Sequence, residues 1–83
     1  ADFTEAESWA KKAIDLHREN GMRLLLGRDY LLHAELAKRR TNFEAAKEHL
    51  NQAVAIFQEC GAGGYLQKAK KEWIRLASLE IEK

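Results

Sequence analysis

Gly21 and Gly61 stand forty residues apart, and that interval recurs along the chain. Sliding the 83 residues by forty also pairs Ala6 with Ala46, Ala13 with Ala53, Glu19 with Glu59, Leu26 with Leu66, Leu36 with Leu76 and Ala37 with Ala77. With the glycines these make seven identities in the 33 pairs from Ala6 to Lys38, against roughly three expected by chance from such a composition. Conservative pairs such as Ile14 with Val54, Leu16 with Ile56 and Arg28 with Lys68 extend the match. Small residues recur where backbones must approach, leucines where a core must be filled, and glycine where a helix must stop. A chain so constrained builds one supersecondary unit twice.

The unit is helical. Phe3, Ala6, Trp9, Ala10, Ala13, Leu16 and His17 recur at three- and four-residue spacing and predict a helix over 4–20. Thr4 and Glu7 are spaced as a capping box at its start, and Asn20-Gly21 is its stop. A second helix is expected over 23–40, where Leu24, Leu25, Leu26, Tyr30, Leu31, Leu32, Leu36 and Ala37 cover more than one face. Such a girdle belongs to a helix held between neighbours. Gly27 inside it costs about 1 kcal/mol relative to Ala, which implies either close packing or an irregular first turn. The basic run Lys38-Arg39-Arg40 suits the negative end of the helix dipole. Thr41-Asn42 form a corner, with Thr41 and Glu44 spaced as a second capping box and Asn42 able to cap one residue later.

The third helix is expected over 43–60, on a stripe of Phe43, Ala46, Leu50, Ala53, Val54 and Phe57. Gly61-Ala62-Gly63-Gly64 reads as a flexible break rather than a phosphate loop, because no strand precedes it and no Gly-Lys-Ser/Thr follows. A fourth helix over 65–81 carries Tyr65, Leu66, Ala69, Trp73, Leu76 and Ala77, with Ile74, Leu79 and Ile81 off the stripe. Nothing alternates as a strand would. The expected fold is all-α: four antiparallel helices in one domain, two helix-turn-helix units with the period of an α-solenoid.

Composition narrows the functional classes. The chain is 46% hydrophobic and 33% charged with no proline, which excludes disordered and collagen-like chains. No apolar run approaches the ~18 residues of a membrane span. The start, Ala1-Asp2-Phe3-Thr4-Glu5, has neither the basic nor the apolar part of a signal peptide, and its lack of Met points to a piece of a longer chain. A single Cys allows no internal disulfide and fits the cytoplasm. A net charge of +1 supplies no global field to draw nucleic acid or a membrane surface.

Between Tyr30 and Phe57 the chain resembles a tetratricopeptide repeat. Tyr30 stands at the large aromatic of the first helix and Ala34 at its small packing residue. Phe43 follows the corner, Ala46 and Ala53 take the two small positions of the second helix, and Leu50 takes the bulky one between them. Thr41 departs from the usual corner glycine and Ala37 from a usual tyrosine, and Gly61 stands in for the terminal proline. The helices are also longer than a 34-residue unit allows. This long variety is similar to arrays found in bacterial multidomain signalling regulators. The resemblance implies a protein-binding or scaffolding module without a cofactor, whose inner surface comes from the first helix of each unit. In that register Arg28, Leu31, Glu35, Lys38, Lys68, Lys71 and Arg75 face a groove, and five of these seven are cationic. The implied partner is a protein or an acidic peptide. Leu31 and Glu35 depart from the carboxylate-clamp pattern of some relatives, and the plain alternative is a solvated face whose Lys stems cover apolar surface.

Catalytic patterns are missing. His17, His33 and His49 fall on three helices without metal-ligand spacing, Cys60 reads as an incidental or buried thiol, and no catalytic triad or CxxC pair occurs. Neither an enzyme nor a metal site is expected. Trp9 and Ile14 in the first segment, and Trp73, Ile74, Leu79 and Ile81 in the fourth, keep apolar residues beyond one narrow stripe. Terminal repeats normally turn a polar face outward. The alternative to a peptide-binding groove is therefore a self-associating spacer, pairing as a homodimer.

Overall fold

The computed structural model describes residues 3–81, with side chains over 4–79; Ala1, Asp2, Glu82 and Lys83 and the side chains of Phe3, Glu80 and Ile81 lie outside the described residues. The four helices are α1 (Phe3–Glu19), α2 (Arg23–Arg39), α3 (Phe43–Cys60) and α4 (Gly63–Ile81). Their starts recur every twenty residues, half the interval visible in the sequence.

The turns explain the shorter period. Gly21, Thr41 and Gly61 all take the left-handed conformation, with φ of 67°, 59° and 66°. After each, the next N–H reaches back to the helix just ended. Met22 donates to the His17 carbonyl at 2.9 Å, Asn42 to that of Ala37 at 2.9 Å, and Ala62 to that of Phe57 at 3.0 Å. These are three copies of one Schellman closure. Thr41 escapes a search for glycines because it is a β-branched residue in a glycine's conformation.

Local expectations are corrected at three places. α1 begins at Phe3, so Thr4 lies inside the first turn, and Glu7 accepts from Arg40 Nη1 at 2.6 Å. Thr41 does not cap α3. Its left-handed backbone belongs to the preceding closure, and its hydroxyl donates to the Arg40 carbonyl at 2.6 Å. Asn42 is the cap, its Oδ1 accepting from Ala45 N–H at 3.2 Å. Gly63 and Gly64 are the first turn of α4 and not a flexible break. The closure at Gly61 already sets the direction of α4, and the Ala62 carbonyl accepts from Leu66 N–H at 2.9 Å.

Each helix packs on the next, and the described residues form a slab of 40 × 30 × 16 Å. One core runs through all four. Ile14 comes from α1; Leu26, Tyr30, Ala34 and Ala37 from α2; Ala46, Leu50, Ala53, Ile56 and Phe57 from α3; Ala69 and Leu76 from α4. α2 lies between α1 and α3, as its apolar girth required. Repeated residues differ in burial according to place: Ala46 and Ala53 are fully buried, whereas Ala6 and Ala13 forty residues earlier are half-buried. α1 has one neighbour where α3 has two. Among the described residues no helix is long and apolar enough to cross a membrane.

Candidate functional site

A groove of about 270 Å³ opens between α2 and α4 over the middle of α3. Leu31, Ala34 and Lys38 recur on α2 at three- and four-residue spacing, and Lys68, Glu72 and Leu76 recur on α4 at four-residue spacing, so each helix presents one row to the groove. The floor is apolar, made by Leu31, Ala34, Leu50 and Leu76. The rim is charged, made by Glu35 and Lys38 on one side and Lys68 and Glu72 on the other, with Leu32 beside them.

Four of the seven anticipated partner-binding residues line this groove: Leu31, Glu35, Lys38 and Lys68. Three do not. Arg28 sits with its guanidinium 5.9 Å from the centre of the Tyr65 ring. Lys71 is exposed, and Arg75 turns to Glu72, with Nη1 to Oε1 at 2.9 Å. Glu72 is the residue that counting cations missed. Its other oxygen lies 3.9 Å from Lys38 Nζ, joining α2 to α4 across the groove, while Glu35 pairs with Arg39 at 3.6 Å. The middle of the groove is therefore balanced in charge. At one end of the lining Lys68 has no carboxylate partner among the described residues, and neither have Arg28 and Lys71 outside the lining. An open apolar hollow lined by Leu24, Tyr65 and Lys68 continues from that end.

A second cleft, of about 290 Å³, lies between Glu7, His33, Arg40, Asn42 and His49. The rings of His33 and His49 stack there, centroids 4.2 Å apart and planes 13° from parallel. Each Nδ1 is buried without a hydrogen-bond partner. Burial holds His49 below its ordinary pKa of 6.5, and neighbouring His33 adds to the effect against the smaller pull of Glu48 and Glu7. The pairing was legible in principle, because His33 and His49 stand eight residues either side of Thr41, and an antiparallel hairpin brings such positions together. His17 also finds a partner across helices, its Nδ1 meeting the Asp29 carboxylate. Beside it Arg18 Nη2 donates to the Tyr30 hydroxyl at 2.6 Å. Among the described residues no group of three or more His, Cys, Asp or Glu could hold a metal ion, and Cys60 is exposed.

No protein-family model, curated protein or solved structure matches the chain.

Proposed function

We propose that the chain is a protein-interaction or scaffolding module, which takes a peptide segment of a partner into the groove between α2 and α4. An apolar floor open between two charged rims is the observation that carries this. An apolar side chain of the peptide would cover Leu31, Leu50 and Leu76, and an acidic group beside it would reach Arg28, Lys68 and Lys71. Glu35 and Glu72 disfavour a uniformly acidic run across the middle, so the preferred ligand combines one apolar anchor with an acidic end. The repeated two-helix unit, with α2 and α4 facing each other across the groove, supports the tetratricopeptide-like reading, and with that reading goes a scaffolding place in a larger cytoplasmic regulator.

Panning a displayed peptide library against the chain tests this. Selected peptides should carry an apolar residue next to Asp, Glu or a terminal carboxylate. In anisotropy titrations Lys68→Glu with Lys71→Glu should weaken them by about tenfold or more, while Lys11→Glu on α1 leaves them unaffected. Equal affinity for the groove variant would remove the proposed face.

Self-association is the second reading, and a separate observation favours it. Trp9 and Leu16 on α1 are 63% and 56% exposed, and Trp73 and Ile74 on α4 are 36% and 64% exposed. Apolar residues left out at both ends of a repeat call for a partner.

A further inference from the structure

We infer that copies of this chain join head to tail, with α1 of one copy seated against α4 of the next as α3 is seated against α2 within each copy. The inference rests on the self-association reading and gives it a geometry. It comes from applying the forty-residue shift to the contacts. In the α2–α3 interface His49 stacks on His33, with Tyr30 beside it at 6.3 Å, and Ile56 and Phe57 close on Gly27. Forty residues before His49 and Ile56 stand Trp9 and Leu16. Forty after His33 and Ala34 stand Trp73 and Ile74. The exposed apolar residues of the two end helices are thus the two halves of an interface that the chain already builds once.

The seat itself is visible. Asn51, Val54, Lys70, Trp73 and Ile74 line an open groove of about 280 Å³ on α3 and α4. The residues forty earlier are Lys11, Ile14, Tyr30, His33 and Ala34. Of these Ile14, Tyr30 and Ala34 are buried in the core together with α3. One groove is filled by α3; its copy stands empty, and α1 is the helix that matches α3. In the joined form Trp73 lies on Trp9 of the neighbouring copy, where His33 lies on His49. Lys70 replaces Tyr30 beside that ring and offers a cation–π contact of the kind Lys12 already makes to Trp9 at 4.8 Å. Charge agrees in sign: α4 has four Lys and Arg against two Glu, and α1 has four Asp and Glu against three Lys and Arg.

Two features set strength and form. Gln67 stands where Gly27 does, so the joined helices cannot approach as closely as α2 and α3, and the junction is weaker than the internal one. Each junction uses two different faces, so every copy keeps one face free and association continues beyond a pair.

Sedimentation velocity across a concentration series tests this with two variants. The unaltered chain should grow past a dimer as concentration rises. Trp9→Glu and Trp73→Glu should each sediment as monomers with unchanged helicity, and Ile74→Glu on the same face serves if Trp73→Glu loses helicity. Mixed in equal amounts, the α1 and α4 variants should form a one-to-one dimer and nothing larger, since one intact junction remains. A dimer formed by either variant alone would mean symmetric pairing through its intact face; self-association would stand and the head-to-tail geometry would be overturned. A monomer at every concentration for the unaltered chain would overturn both, and a mixture that stays monomeric would overturn the junction.

Discussion

Thr41 holds a φ of 59° between a helix that has ended and one that is about to begin. A β-branched side chain in the left-handed region costs on the order of 1–2 kcal/mol, and the hydroxyl bond to the Arg40 carbonyl offsets only part of that. Gly21 and Gly61 make the same turn with no such cost. Thr41→Gly should therefore raise stability by about 0.5–1 kcal/mol, even after allowing for the greater freedom glycine gives the unfolded chain. Urea denaturation monitored by helical circular dichroism would register it as a higher midpoint at unchanged slope. A lower midpoint would mean that the hydroxyl bond contributes more than the backbone strain takes away. Asn42 has to stay in place for the comparison, because it caps α3.

Between elements, Gly27 decides how close α2 and α3 come. A Cβ there would meet Phe57 Cε1 at 2.6 Å and Ile56 Cγ2 at 3.1 Å. Phe57 is fully buried and stacked on Tyr65 with centroids 5.2 Å apart, so its ring cannot retreat without moving α4. Helix propensity favours alanine over glycine by about 1 kcal/mol, yet overpacking a filled core costs about 1–3 kcal/mol. Gly27→Ala should lower stability by about 1 kcal/mol net. Gly64→Ala, at an open position in the first turn of α4, should show the propensity gain with nothing against it. The two variants side by side in one denaturation series check the argument: a gain at Gly27 would show that α2 and α3 can part at little cost. The sequence offered close packing and an irregular turn as readings of Gly27, and only the position of Phe57 decides between them.

Across the whole molecule, what could be read from the sequence was what depends on spacing along one helix. Apolar periodicity and the two break glycines placed the helices to within two residues, and three- and four-residue spacing put Leu31, Glu35 and Lys38 on one row of α2. What escaped depends on distances between helices. Glu72 matters because α4 stands close enough for it to reach Lys38, and His33 matters because the corner at Thr41 folds it onto His49. That histidine pair ties a local contact to global stability. The unfolded chain takes up a proton on His49 near pH 6.5, whereas in the fold burial and His33 hold its pKa lower. Between those values the unfolded state binds more protons, so the contribution is fully present above about pH 6.5 and is lost as pH falls toward the folded value. Glu48 and Glu7 reduce the shift without reversing it. Thermal unfolding should thus come at a lower temperature near pH 5.5 than near pH 7.5. His49→Phe keeps a ring stacked on His33 but cannot titrate, and should make that dependence shallower. An unchanged dependence in the variant would place the acid sensitivity outside this pair.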